Sequence, residues 1–283
     1  MVPSSLTPWL LAQQFGPVAA TYPVGGGCIN NGTRITTESG KSFFLKTNAH
    51  CPTDMFMREA EGLEALAVLD GPRVPQVFLY GEDFLLMEDL RPAQQRFGYW
   101  ERLGEQLAAM HNHIASRFGF PHDNYIGSTP QPNPLTEDGF FFFAQNRLLY
   151  QAELAGSHGL LSYTEVQKVE HFAVRLSEWI PVQPASLVHG DLWSGNLITD
   201  DQGYPVLIDP ATHYGWAEAD LGMMTLFGSP PERFFHAYQE VRPLSPGLEV
   251  RFPVYNLYHL LNHLNLFGLG YYGQVMAIIR SKG

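Results

Sequence analysis

The sequence predicts an α+β fold, in which a small antiparallel sheet precedes a larger and mainly helical part. Runs of β-branched and aromatic residues separated by turn residues fill the first part, as at 33–37 and 42–46. Beyond residue 90, apolar residues recur mostly at helical spacing. We therefore divide the chain into a sheet-rich domain, residues 1–90, and a helical domain, residues 91–283.

A glycine-rich turn follows a short helix predicted over residues 6–15. Gly25, Gly26 and Gly27 are consecutive, and such a run lets backbone N–H groups approach phosphate oxygens closely. A plain hairpin turn is the alternative, and the spacing does not match a P-loop or a dinucleotide fingerprint. Cys28 comes directly after the glycines. We treat it as a candidate redox site because nearby N–H groups would lower its pKa, with an inert cysteine as the alternative.

A lysine and a helix come next. Lys46 ends an apolar strand soon after the glycine run, where a cation could meet phosphate; an ordinary strand-end lysine is the alternative. The helix predicted over residues 54–69 carries Glu59, Glu61 and Glu64. An ion pair from one of these carboxylates would fix the orientation of the lysine side chain.

Two further strands, 74–80 and 84–90, complete the sheet-rich domain, and the second ends in polar residues before Pro92. Helices are then predicted over residues 99–116, 140–155, 164–179 and 255–279. The segment between the first two helices, 118–133, is long, polar and rich in turn residues. Loops of this length in a compact domain are usually functional or disordered.

Two short apolar strands, 186–188 and 206–208, each lead into a polar cluster. Asp191 follows the first strand, Asn196 lies five positions later, and Asp209 follows the second strand. Phosphoryl transfer needs a carboxylate near the attacking hydroxyl and oxygen ligands for a Mg²⁺ ion that neutralises the phosphates. Asp191 suits the first role, and Asn196 with Asp209 suits the second. A hairpin of strands 197–199 and 206–208 should hold them together.

The string His189-Gly190-Asp191-Leu192-Trp193-Ser194-Gly195-Asn196, followed by Asp209, resembles the catalytic and metal-binding loops of protein-kinase-like phosphotransferases. In its full length it is similar to the fructosamine kinase family, which includes ketosamine 3-kinases. The resemblance covers residues 22 to about 273. It implies a two-lobed protein-kinase-like fold, with a small antiparallel-sheet N-lobe, a larger helical C-lobe and an ATP cleft between them.

The resemblance also implies an activity and the cofactors ATP and Mg²⁺. The family phosphorylates the 3-hydroxyl of ketosamines, which are sugar adducts of amines or protein lysines, and the product breaks down to release the amine. The chain would then act in protein deglycation. The sequence does not distinguish ribulosamine, erythrulosamine and fructosamine substrates.

Roles for individual residues follow from the same resemblance. Asp191 would orient the substrate hydroxyl and accept its proton. Glu59 rather than Glu61 would pair with Lys46. Asp220 would accept hydrogen bonds from the catalytic-loop backbone, although helix capping alone would also explain a carboxylate there. The residues that would contact ATP are Gly25, Gly26, Gly27, Lys46, Glu59 and the interlobe connector Met87, Glu88, Asp89 and Leu90.

Substrate contacts are predicted for Trp193 and His189, which flank Asp191. Trp193 would stack on the sugar or its amine, with core packing as the alternative. The family usually carries tryptophans after the 118–133 loop, whereas this chain has Leu135 and Phe140.

Composition excludes several other classes. A net charge of −11 argues against an electrostatic nucleic-acid binder. The most apolar late segment is interrupted by histidines and asparagines, so no membrane span is expected. Two cysteines suggest a reducing cytosol rather than a disulfide framework. We expect a cytoplasmic monomer or weak dimer whose partners are ATP and a ketosamine.

Two alternatives remain. One is another small-molecule kinase, of the aminoglycoside or choline type; the 118–133 loop favours the ketosamine reading. The other is a non-catalytic nucleotide-binding scaffold, against which the presence of Lys46, Asp191, Asn196 and Asp209 counts.

Overall fold

The computed structural model describes residues 2–25 and 30–282. The N-terminal part is built on a five-stranded antiparallel sheet with the strand order β1-β2-β3-β5-β4. Its strands are β1 (Val18–Val24), β2 (Asn31–Thr37), β3 (Ser42–Thr47), β4 (Val77–Tyr80) and β5 (Phe84–Glu88). Strand β5 ends two residues before the predicted domain boundary at residue 90, which remains a prediction.

Each face of this sheet packs against one helix, because side chains alternate along a strand. Phe43 and Leu86 pack with helix α1 (Leu6–Ala12). Leu85 and Met87 lie on either side of Leu86 in sequence, and they pack with helix α2 (Met55–Leu66) on the other face. The alternation therefore places α2 beside β3, the strand that contains Lys46.

The remaining helices form most of the rest of the chain. They are α3 (Tyr99–His111), α4 (Gly139–Phe143), α5 (Tyr150–Ser157), α6 (Tyr163–Ala173), α7 (Ala217–Leu226), α8 (Glu232–Val241), α9 (Leu248–Phe267) and α10 (Tyr272–Lys282). A π-helical stretch, Ala144–Leu149, joins α4 to α5, and 3₁₀ turns span Leu176–Glu178, Ser194–Asn196 and Leu269–Tyr271. Many buried residues of α9 belong to the largest core cluster, so this helix lies at the centre of the helical part.

Small sheets among these helices position the polar loops. Strands β6 (Ile114–Ala115), β9 (Ala185–Val188) and β12 (His213–Gly215) form one sheet in the order β12-β9-β6. Strands β10 (Leu197–Thr199) and β11 (Pro205–Leu207) form the predicted hairpin. Strands β7 (Asn124–Ile126) and β8 (Thr129–Gln131) lie inside the long polar segment.

Several helices differ in extent from their predictions. The helix predicted over 255–279 is two helices, because Gly268 adopts a φ of +84° and interrupts it. The first of them begins earlier than predicted, at Leu248, and contains Pro253. The helix predicted over 99–116 ends at His111. No helix in residues 2–25 and 30–282 combines the length and the apolar character that crossing a bilayer would require.

Buried histidines make the stability of this fold sensitive to acid. Burial lowers the pKa of His259 to about 3 and that of His263 to about 4. An unfolded histidine has a pKa of about 6.5. Between about pH 6.5 and pH 4 these two histidines therefore bind more protons in the unfolded chain than in the folded chain. Their contribution to the free energy of unfolding consequently falls as the pH falls through this window.

We expect His259 alone to lower the free energy of unfolding by about 2 kcal/mol between pH 6.5 and pH 5. Urea unfolding at a series of pH values measures this, and His259→Gln should flatten the dependence. The exposed His158 supplies a matched control, His158→Gln, that should leave the slope unchanged. Equal slopes for the wild type and His259→Gln would contradict the assignment.

Candidate active site

The loop after β9 is held by backbone contacts that require a glycine. Gly190 adopts a φ of +83°, and a Cβ atom at this position would lie 2.1 Å from the carbonyl oxygen of Ala211. The N–H of Ala211 donates to the carbonyl oxygen of His189 at 2.9 Å. The close approach of these two segments fixes the backbone that leads into Asp191.

Asp220, in the first turn of α7, anchors the same loop. Its carboxylate accepts hydrogen bonds from the N–H groups of His189 at 2.7 Å and Gly190 at 2.9 Å. It also lies 3.2 Å from His111 Nε2, whose Nδ1 is 2.8 Å from the hydroxyl of Tyr238. Burial alone would raise the pKa of Asp220, but the hydrogen bonds that it accepts, above all the one from His111, hold its pKa below its usual value. These are the backbone contacts that the resemblance implied for Asp220.

His189 does not contact the cleft, which contradicts the substrate role expected for it. Its side chain is fully buried. Nδ1 accepts a hydrogen bond from the N–H of Asp191 at 3.2 Å, and Nε2 donates to the carbonyl oxygen of Ile208 at 2.9 Å. Both ring nitrogens are therefore used to tie the loop of Asp191 to the segment before Asp209.

Asp191, Asn196 and Asp209 meet at one point. Asn196 Nδ2 donates to Asp191 Oδ2 at 3.1 Å and to the Asp191 carbonyl oxygen at 2.9 Å. It also lies 3.4 Å from the carbonyl oxygen of Asp209. Asp209 adopts a φ of +55°, a conformation that is uncommon for a non-glycine residue and is found preferentially at functional sites.

Lys46 joins this cluster from the sheet. Its Nζ lies 2.8 Å from both carboxylate oxygens of Glu59 and 2.9 Å from Asp209 Oδ1. Glu61, the alternative partner, instead pairs with Arg58 at 3.0 Å. Burial would lower the pKa of Lys46, but the charges of Asp209 and Glu59 outweigh it and raise the pKa. The lysine is therefore a charged group held at the centre of the site.

The oxygen donors of this cluster fit a magnesium ion. The amide oxygen of Asn196 and the carboxylate of Asp209 are hard ligands of the kind that Mg²⁺ prefers. Within residues 2–25 and 30–282, no group of three or more His, Cys, Asp or Glu side chains could hold a metal. The ion would take its remaining ligands from phosphate oxygens and water, as Mg²⁺ commonly does.

Asp191 is strongly affected by its surroundings. Burial and the nearby negative charge of Asp209 raise its pKa to about 7. A cation held by Asp209 would offset that charge and lower the pKa of Asp191 again. Asp191 would then be ionised whenever a cation is bound at Asp209.

A cleft of about 800 Å³ contains these groups. Gly25 lines it, whereas Gly26, Gly27 and Cys28 lie outside the described residues. The buried residues Met87 and Leu90 also line this cleft. Among the described residues, the N–H and C=O groups of Leu90 make no hydrogen bond, which leaves them available to an adenine edge.

The side chains of Glu88 and Asp89 are engaged elsewhere. Glu88 pairs with Arg73, and its N–H donates to the carbonyl oxygen of Gln76 at 2.9 Å. Asp89 Oδ2 accepts hydrogen bonds from Arg34 Nε at 2.7 Å and Ser42 Oγ at 2.6 Å. A nucleotide contact by either residue is therefore limited to the remaining main-chain atoms.

One cleft residue, Tyr125, was not predicted individually. Tyr125, in the long polar segment, lines the cleft and donates its hydroxyl to Asp54 Oδ1 at 2.6 Å, which joins the segment to the residue before α2. The length and polarity of the segment were the available signal.

Trp193 lines the cleft and also contacts Phe227, with 5.9 Å between ring centroids. The side chain of Trp193 thus packs against Phe227 and also presents part of its surface to the cleft.

Replacing Lys46 with methionine should lower kcat/KM for ATP by roughly 10²–10³-fold, because the charge that faces the phosphates is lost. The variant should also unfold at a lower urea concentration, since the buried carboxylate of Glu59 loses its partner. Steady-state kinetics with varied ATP measures the first effect. Lys41 is an exposed lysine directly before β3, so Lys41→Met is the charge-matched control and should change neither value. Unchanged ATP kinetics in Lys46→Met would exclude a phosphate-binding role.

Comparison with known proteins shows extensive similarity. A family model described as fructosamine kinase matches residues 9–282. A probable ketoamine kinase of Synechocystis sp. is 40% identical over 98% of this chain and 97% of its own length. The chloroplastic protein-ribulosamine 3-kinase of Arabidopsis thaliana is 40% identical over 96% of this chain and 85% of its own length.

Solved structures agree with these relatives. A protein from Thermobifida fusca assigned as a fructosamine-3-kinase superposes with a TM-score of 0.89 and 34% identity, covering 99% of both chains. The choline kinase LicA of Streptococcus pneumoniae superposes with a TM-score of 0.67 and 16% identity, covering 98% of both chains. The second likeness concerns the fold alone. Together they confirm the predicted α+β, two-lobed protein-kinase-like fold.

Proposed function

The chain belongs to the fructosamine kinase family, and from this premise we propose that it transfers the γ-phosphoryl group of ATP to the 3-hydroxyl of a ketosamine. The names of its relatives, ketoamine kinase and protein-ribulosamine 3-kinase, support the substrate class. The substrate is a sugar adduct of an amine or of a protein lysine. Its phosphorylation leads to release of the free amine, which is a deglycation reaction.

One observation supports this proposal above the others, namely the meeting of four chemically suited groups in one cleft. Asp191 and Asn196 are joined at 3.1 Å, and Lys46 and Asp209 at 2.9 Å. Phosphoryl transfer proceeds through a loose transition state, so catalysis depends mainly on positioning and on charge stabilisation. A rigid set of one carboxylate base, two metal ligands and one buried lysine meets that requirement.

In the proposed mechanism, Asp191 accepts a hydrogen bond from the attacking hydroxyl, orients it toward the γ-phosphorus and takes its proton late in the reaction. Lys46, oriented by Glu59, holds the nucleotide phosphates, and the backbone at Gly25 adds N–H groups. Asn196 and Asp209 would hold Mg²⁺, which neutralises charge on the phosphates when bound. The main chain of Leu90 meets the adenine, and Met87 packs behind it.

A kinase assay on ribulosamine, erythrulosamine and fructosamine adducts of one amine tests the proposal. ATP consumption should require the ketosamine, and ³¹P NMR should locate the new phosphate on the 3-oxygen. Choline and an aminoglycoside serve as comparison acceptors. Turnover on those acceptors alone would make the chain another small-molecule kinase. Absence of turnover on every acceptor, with ATP still bound, would make it a nucleotide-binding scaffold.

The proposed setting is the reducing cytosol, with the chain acting as a monomer or weak dimer. Two cysteines in 283 residues and a net charge of −11 support this setting and an absence of nucleic-acid partners.

A further inference from the structure

A continuous group of aromatic rings forms one side of the cleft beyond Asp191. We call it the aromatic wall, and its members are Trp193, Phe227, His263, Phe267 and Tyr271. Ring centroids are 5.9 Å apart for Trp193–Phe227 and 5.2 Å for Phe227–His263. His263 continues the chain of contacts to Phe267 at 5.5 Å and to Tyr271 at 5.0 Å. The wall thus begins two residues from Asp191 and extends outward along the cleft.

The outer part of the wall is exposed although it is apolar. Phe227 is 43% exposed and Phe267 is 51% exposed. Contiguous exposed apolar surface on a soluble protein usually marks a binding site. Because these rings line the same cleft as Asp191, Asn196 and Asp209, a molecule that reaches Asp191 would also be able to contact them.

The segments that carry the outer wall contain no formal charge. Residues 221–231 and 252–279 include no Asp, Glu, Lys or Arg, in a chain where charged residues make up 16%. Burial lowers the pKa of His263 to about 4, so its ring is neutral near pH 7. The wall therefore offers neither a cation for a carboxylate nor a carboxylate for a second amine.

We propose that the aromatic wall binds the carrier group of the ketosamine, meaning the part attached to the amine nitrogen, and that it favours carriers with an uncharged alkyl or aryl group. The proposal rests on the proposed function. With the sugar hydroxyl at Asp191, the amine nitrogen lies a few bonds away, toward Trp193 and Phe227. A protonated amine is stabilised over aromatic faces, and an apolar carrier gains by burial against Phe267.

A series of ketosamines that share one sugar and differ in carrier tests this inference. The carriers are N-methyl, N-benzyl and N-carboxymethyl. We expect kcat/KM for the N-benzyl compound to exceed that for the N-methyl compound by about tenfold or more. The N-carboxymethyl compound should not exceed the N-methyl compound, because its carboxylate would lose water against the uncharged rings of the aromatic wall.

Phe267→Ala should bring the N-benzyl to N-methyl ratio down toward one. Phe141 is similarly exposed, at 54%, and does not line the cleft, so Phe141→Ala is the matched control and should keep the wild-type ratio. Binding of the N-benzyl compound, measured by the shift it causes in thermal unfolding, gives a second readout that should fall in Phe267→Ala alone.

Two results would overturn the inference while leaving the proposed function intact. The first is equal kcat/KM for N-methyl and N-benzyl compounds in the wild type, or a ratio that persists in Phe267→Ala. The second is a dimer at assay concentration that Phe267→Ala dissociates, since the wall would then be an interface between two copies. Absence of turnover on all three carriers, with each of the ribulosamine, erythrulosamine and fructosamine sugars, would instead remove the proposed function, and the inference with it.

Discussion

Asp191→Asn is expected to lower kcat by roughly 10²–10⁴-fold, the usual contribution of a general base, while ATP binding persists. An amide at this position cannot accept the hydroxyl proton. Its oxygen can still accept the hydrogen bond that Asn196 donates to Asp191 at 3.1 Å, so the loop should keep its conformation. Removing one negative charge beside Asp209 should, if anything, ease the approach of the triphosphate.

Single-turnover kinetics and calorimetric titration with a non-hydrolysable ATP analogue separate the two effects. Asp201→Asn is the matched control, because Asp201 is exposed in the turn between β10 and β11 and should have wild-type kinetics. Parallel loss of nucleotide binding and turnover in a folded Asp191→Asn variant would show that Asp191 acts on the nucleotide and not as the base.

The sequence was sufficient to bring together the groups that phosphoryl transfer needs, because most of them lie in one short stretch. Asp191 and Asn196 share a loop, and a hairpin returns the chain to Asp209 within thirteen residues of Asn196. Lys46 is distant in sequence, and its pairing with Glu59 rather than Glu61 depended on the family resemblance. In the structure, Lys46 Nζ lies 2.8 Å from Glu59 Oε1.

The sequence located several side chains near the site, but it did not predict which hydrogen-bond partners they have. The motif located His189 beside Asp191, but it could not show that both ring nitrogens are taken by the N–H of Asp191 and the carbonyl of Ile208. Asp89 was likewise named as a connector residue that contacts ATP, but the sequence did not show that Arg34 and Ser42 hold its carboxylate. Ile208 lies 19 positions from His189, and Arg34 and Ser42 lie 55 and 47 positions from Asp89. Tertiary contacts set such partners, and local patterns do not encode them.

The aromatic wall was also beyond prediction for a physical reason. Its rings come from the catalytic loop, the end of α7 and the end of α9, and aromatic residues at helical spacing indicate core packing in general. The break at Gly268, which separates Phe267 in α9 from Tyr271 before α10, falls where periodicity predicted one continuous helix. Sequence reasoning marked the chemistry of the site and, of the aromatic wall, Trp193 alone.

Asp220→Asn is expected to lower the free energy of unfolding by about 3 kcal/mol, as is usual when one partner of a buried charged hydrogen-bond network is removed. The carboxylate accepts from the N–H groups of His189 and Gly190 and from His111, all in the interior. An amide has one acceptor oxygen, and its NH₂ group would face a donor. One buried N–H would therefore lose its partner.

The same change should lower kcat more than it weakens ATP binding. Asp220 contacts the loop that carries Asp191 and lies apart from Lys46, which holds the phosphates. Urea unfolding gives the stability, and kinetics at a temperature where the variant is fully folded give the activity. Asp201→Asn should stay within about 0.5 kcal/mol of the wild type. If Asp220→Asn kept the wild-type unfolding midpoint and kcat, the loop would have to be held by Gly190, Ala211 and His189 alone, and α7 would have no part in positioning the catalytic base.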